Sequence, residues 1–119
     1  MKLKADNEYR KGNFTEAIKY YSSGVLSIRM LIREGNIDLE TLNTKYVKQL
    51  ILPCNLNMSL CLLKTGMYEK CIKVCDDALK IDKNSVRAYM RKGKALEITS
   101  KVLKILKWFQ NNLIPLILS

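Results

Sequence analysis

Residues of matching size recur along this chain at fixed intervals, and internal repetition of that kind decides architecture before local structure does. Ala5, Gly12, Phe14, Ala17, Tyr21 and Gly24 each lie 54 positions before Ser59, Gly66, Tyr68, Cys71, Cys75 and Ala78. Part of the second set recurs 34 positions further on, at Gly93, Val102, Ile105 and Phe109. The chain therefore reads as a 34-residue unit met about three times, with 20 extra residues between Leu26 and Leu50 separating the first two copies.

Paired antiparallel helices account for the pattern. Small residues (Ala5, Ser59 and Gly93; Ala17 and Cys71; Gly24 and Ala78) stand where two helices must approach closely, and bulkier ones (Phe14, Tyr68, Tyr21, Phe109) fill the spaces between them. Gly12 and Gly66 fall at the turns that open the second helix of each pair. Helices are expected at about 1–11, 14–34, 39–65, 68–82, 85–98 and 101–113. The fold class is all-α: a helix-turn-helix solenoid of about three repeats, with helices two and three lengthened by the insertion and an atypical C-terminal end. Its expected organisation is an array over 1–98, with repeat 1 at about 1–34, insertion-lengthened helices at about 27–50, repeat 2 at about 52–84 and the start of repeat 3 at 85–98. Residues 99–119 are expected to hold a divergent second helix of repeat 3 and an apolar tail. Pro53 predicts a kink or a restart near Leu52, and Asn84-Ser85 predicts an N-cap for the fifth helix.

Composition narrows the chemistry. The 119 residues contain no His, which removes a His general base, a Ser-His-Asp triad and any His-ligated metal. Two Pro and five Gly argue against a turn-rich all-β fold. No apolar run suits a signal peptide or reaches the roughly 18 residues of a membrane span, and four Cys without a secretory signal read as free thiols. An intracellular, cytoplasmic protein is expected. Twenty-one Lys and Arg against 11 Asp and Glu give a formal charge of +10, which suits nucleic acid, an anionic membrane or an acidic protein partner.

Four stretches together resemble a known family: residues 11–21 (KGNFTEAIKYY), residues 54–64 (CNLNMSLCLLK) after the long second helix, Tyr68-Glu-Lys-Cys-Ile with Cys75-Asp-Asp-Ala-Leu, and residues 82–93 (DKNSVRAYMRKG). Over about residues 2–98 the chain is similar to the tetratricopeptide repeat (TPR) domains of co-chaperones, above all those of the peptidyl-prolyl isomerase immunophilins. The resemblance implies a concave face carrying a carboxylate clamp for the acidic C-terminal tail of the seventy- and ninety-kilodalton heat-shock chaperones. It places the clamp at Lys2, Asn57, Arg87 and Arg91, with Asp6 and Asn7 as further candidates on the first helix.

The spacing is chemically sensible. Arg87 and Arg91 are one turn apart on one helix face, and Asn57 and Arg91 share a repeat position 34 residues apart. Arginine grips a carboxylate through charge-assisted bonds of about 1.5–3 kcal/mol each. Asp6 stands where the family has Asn, and would repel an acidic tail unless it turns away or pairs with Lys2. No cofactor is expected, and since the isomerase domain of the resembling family has no counterpart in these residues, no catalysis either.

Cys54, Cys61, Cys71 and Cys75 are expected to fill the core rather than bind metal, because Cys71 and Cys75 fall on buried repeat positions. Towards the C-terminus, Thr99-Ser-Lys-Val replaces the usual Gly-x-aromatic turn, and the tail Leu113-Ile-Pro-Leu-Ile-Leu-Ser lacks the charge of a capping helix. Lys101, Lys104 and Lys107 beside Val102, Ile105, Trp108 and Phe109 form a basic amphipathic stretch. Its expected place is against the fifth helix, with a membrane surface or a partner groove as the alternative through 101–118. Nucleic acid ranks last, since no motif for it accompanies the charge.

Overall fold

A computed structural model describes residues 2–35 and 49–118. All regular structure among them is helical: α1 (Lys2–Arg10), α2 (Phe14–Arg33), α3 (Leu52–Lys64), α4 (Tyr68–Ile81), α5 (Val86–Trp108), a π-helical turn (Phe109–Leu113) and α6 (Ile114–Leu118). The expected start of the third helix near residue 39, and most of the insertion, lie outside the described residues.

The first two repeats turn by the same device. In each, the chain leaves its first helix through a glycine with positive φ, Gly12 at 82° and Gly66 at 78°. The Gly12 amide donates to the Tyr9 carbonyl (3.0 Å) and the Asn13 amide to Glu8 (2.9 Å). Gly66 repeats the first bond to Leu63 (3.3 Å), and Met67 repeats the second to Leu62 (2.9 Å). This pair of bonds satisfies the last carbonyls of a helix and needs a residue without a Cβ at its centre. Asn13 and Met67 then accept from Ala17 and Cys71, both at 3.0 Å, so the next helix starts at once.

Packing follows the repeat register. Ala5, Ala17, Ser59 and Cys71 are fully buried, and the Cys71 thiol donates to the Ser59 carbonyl at 3.3 Å. At that separation only small residues leave room for two backbones. Tyr21, Met58, Cys61, Leu62 and Cys75 complete the core, with Tyr9, Phe14 and Tyr68 packed around it. All four cysteines are buried and unpaired. The Lys64 ammonium sits 5.0 Å from the Phe14 ring and 5.8 Å from that of Tyr9, tying α3 to the first turn.

α3 begins at Leu52 with Pro53 in its first turn, where a missing N–H costs nothing. The Ser85 hydroxyl caps α5 by accepting from the Ala88 amide at 3.4 Å. α4 packs on α3 and α5, and α2 on α1 and α3, the succession of a helix-turn-helix solenoid.

One expectation fails. The turn at 99–100 and the separate helix over 101–113 do not form, because α5 runs unbroken from Val86 to Trp108 and continues through the π turn. The register explains why: the counterpart of Gly12 and Gly66 is Ser100, and no residue other than glycine among those described has a positive φ. A left-handed serine would cost about 1–2 kcal/mol, and continuing the helix avoids that cost. The divergent second helix of repeat 3 is therefore a straight extension of its first. From Lys101 to Leu118 every side chain is exposed except the half-buried Leu113.

Candidate peptide-binding face

α1, α3 and the first half of α5 carry the residues of the expected clamp. On α1, the Lys2 ammonium lies 2.8 Å from Asp6 Oδ2, one turn along the helix. The other oxygen of Asp6 accepts a hydrogen bond from the Tyr21 hydroxyl of α2. Burial pushes the Asp6 carboxyl up, but the bonds from Lys2 and Tyr21 outweigh it and hold the group below its ordinary value. Burial, and then the adjacent Asp6 charge, push the Tyr21 phenol far up, so this tyrosine stays a donor. Asp6 is thus neither bare nor turned away.

The side chain of Asn57 of α3 also interacts with this tyrosine hydroxyl. With Asp6, Tyr9, Arg10, Tyr21 and Leu60 it lines a cleft of about 300 Å³. Asn7 is exposed and its side chain makes no hydrogen bond to the described residues.

Arg91 of α5 is half-buried and braced. Its Nη1 donates to the Leu56 carbonyl and, at 3.4 Å, to the Ser59 hydroxyl, while that hydroxyl donates to the same carbonyl at 2.6 Å. Burial, and then repulsion from nearby Arg87, lower the Arg91 pKa, yet a guanidinium remains charged at any physiological pH. Its other N–H groups bond to none of the described residues. Arg87, one turn earlier, is exposed and makes no ion pair with them.

Two groups thus emerge: Lys2, Asp6, Tyr21 and Asn57 around the cleft, and Arg87 with Arg91 on α5. Chemically, the face offers two arginines and an amide to an anionic ligand, together with a lysine already engaged by a carboxylate. Sequence reasoning named Asp6 but missed Tyr21 as its partner, because the repeat register marks Tyr21 only as inward-facing. An acid and a tyrosine on paired helices, both near the register's small positions, were the available signal.

No group of three or more His, Cys, Asp or Glu is placed to hold a metal among the described residues, and no described helix is long and apolar enough to cross a membrane.

Comparison with known proteins agrees with this architecture. Over 95 residues, 80% of the chain, it is 30% identical to Outer envelope protein 61 of Arabidopsis thaliana and to Tetratricopeptide repeat protein 12 of Mus musculus. It spans only 15% and 11% of the length of these curated relatives. No solved structure matches significantly. Residues 52–85, which hold α3, α4 and the cap of α5, match the tetratricopeptide repeat. The chain carries a tetratricopeptide repeat and folds as a TPR helix-turn-helix solenoid.

Proposed function

We propose that this chain is a protein-protein interaction module of the co-chaperone class, similar to the TPR regions of immunophilins, which captures the acidic C-terminal peptide of a heat-shock chaperone. The observation that carries the reading is the state of the two arginines. Arg91 is fixed against α3 by the Leu56 carbonyl, and Arg87 stands exposed one turn away. A guanidinium held in place loses little entropy on meeting a carboxylate, so its bond is worth more than that of a free surface charge.

In this reading Arg87 and Arg91 take the terminal and side-chain carboxylates of the peptide, and Asn57 donates to its backbone. Lys2 contributes only when it leaves Asp6. Two or three charge-assisted bonds at about 1.5–3 kcal/mol each support micromolar affinity, roughly −8 kcal/mol. The module acts by binding and not by catalysis, in the cytoplasm, where four reduced thiols are at home.

Calorimetric titration with the peptide Met-Glu-Glu-Val-Asp tests the proposal. Micromolar binding that weakens at least tenfold in Arg91→Ala is expected. No heat at millimolar peptide, or affinity indifferent to Arg91, overturns it. A prolyl-isomerase assay on the chain should read blank.

A further inference from the structure

α3 presents two asparagines to opposite sides. Asn55 and Asn57 stand about 200° apart around the helix, so Asn57 lines the cleft beside α1 while Asn55 lies between α2 and α4. A groove of about 450 Å³ runs along that side, walled by Val25 and Leu26 of α2, Met58 and Leu62 of α3 and Val74 of α4. Its volume falls in the range of ligand sites, about 300–1,000 Å³. Asn55 completes the wall. It is only 2% exposed, and its Nδ2 donates to no acceptor among the described residues. A buried amide without a partner lowers stability, and an apolar side chain of the same size would not.

Three contacts set the register of the groove. Ser22 of α2 donates to Met58 Sδ at 3.1 Å, the Cys71 thiol of α4 reaches the Ser59 carbonyl at 3.3 Å, and Arg29 of α2 lies 3.6 Å from Asp77 of α4. Because α3 runs antiparallel to both neighbours, Asn55 falls level with Val25 and Cys75, towards the end that Arg29 and Asp77 close. Lys70 stands five residues before Cys75, about 8 Å along α4, with Lys73 between them. Both lysines are exposed and make no ion pair with the described residues, whereas Asp77 is engaged by Arg29 and Lys80. One end of the groove therefore holds an unpaired neutral amide, the middle is apolar, and the other end is basic.

We propose that this groove is a second peptide site, for an extended segment of a partner protein in which apolar side chains stand next to an acidic residue. A peptide group offers an N–H and a C=O side by side, and the primary amide of an asparagine complements both. The apolar side chains cover Met58 and Leu62, and the acidic one meets Lys70 and Lys73. The 8 Å between the two polar ends matches an extended strand of two to three residues, at about 3.3 Å each. Ligand binding then supplies the partner that Asn55 lacks, which is why an amide stands where an apolar residue would fold better. None of these residues belongs to the expected clamp, so the two sites act independently.

Nuclear magnetic resonance titration of the isotope-labelled full chain with the capped peptide Ac-Ala-Leu-Leu-Glu-NH2 tests the inference. The side-chain amide signals of Asn55 should shift with the backbone signals of Val25, Leu26 and Val74, and saturate. Ac-Ala-Leu-Leu-Lys-NH2 should bind at least tenfold more weakly, and the pair Lys70→Glu with Lys73→Glu should reverse that preference. Asn55→Leu should raise the urea midpoint and yet weaken the acidic peptide at least tenfold, a combination that a structural asparagine would not give. Arg91→Ala should leave this binding unchanged, so failure of the clamp does not decide it. No shift of Asn55 at millimolar peptide overturns the inference, as do shifts confined to α1 and α5, equal binding of the two peptides, or a lowered urea midpoint in Asn55→Leu.

Discussion

Lys2 and Asp6 form an ion pair of 2.8 Å along one turn of α1, and the carboxylate is shared with the hydroxyl of Tyr21. The pair holds the first cationic position of the proposed binding face in an internal contact. Asp6→Asn should release Lys2 and remove a negative charge from the face. Peptide affinity is expected to rise about fivefold, roughly 1 kcal/mol, as read by calorimetry. Unchanged or weaker binding would show that Lys2 takes no part.

The same carboxylate makes stability depend on acid. Its folded pKa lies below the ordinary 3.8, so the contribution is fully present above that value and lost as pH falls through the lowered one. Thermal unfolding of the wild type should shift to lower temperature as the pH falls below 3.8 and through the lowered value. Asp6→Asn should show a flatter profile. Parallel profiles would contradict the assignment.

Arg91 and Arg87 should separate in mutants. Arg91→Ala removes a charged donor to the Leu56 carbonyl and is expected to cost about 1.5–3 kcal/mol in urea unfolding. Arg87→Ala removes an exposed side chain and should stay within about 0.5 kcal/mol, while still weakening the peptide. Equal stability losses would mean that the brace does not bear on the fold.

Gly66→Ala places a Cβ at φ 78° and should cost about 1–2 kcal/mol. The added methyl meets only the Tyr68 hydroxyl at 4.0 Å, so the loss is conformational rather than steric. A neutral substitution, measured by denaturant midpoint, would show that the turn tolerates another geometry.

The thiols should be silent in the folded state. Burial pushes Cys54 and Cys61 up, and Cys71 is committed to the Ser59 carbonyl; Cys75, which the Cys71 thiol pulls down to about 7, is shielded by its complete burial. A thiol-exchange reagent is expected to find none of them within minutes and all four once urea unfolds the chain. Rapid native labelling would point to an opening of the α3–α4 pair.

The repeat could be read from the sequence because its turns need glycine. Gly12 and Gly66 sit where positive φ is required, and the small residues Ala5, Ser59, Ala17 and Cys71 report where helices touch. The same reading misplaced the C-terminal end by following the apolar pattern of Val102, Ile105 and Phe109, although Ser100 could not make the turn which that pattern presumed. At the binding face, Lys2 and Asp6 were legible as neighbours because they share a helix. Tyr21 and Asp6 were not, being 15 residues apart on different helices. The brace from Arg91 to Leu56 was invisible for a further reason: its acceptor is a main-chain carbonyl, which no side-chain pattern encodes.

That brace gives Arg91 a second duty. A guanidinium that bolts α5 to α3 is also the place where an acidic peptide would pull. On the proposed reading, cargo held there would stretch across a seam between neighbouring repeats and stiffen the array, and prising α5 from its neighbours under load would demand more force with the peptide bound than without it.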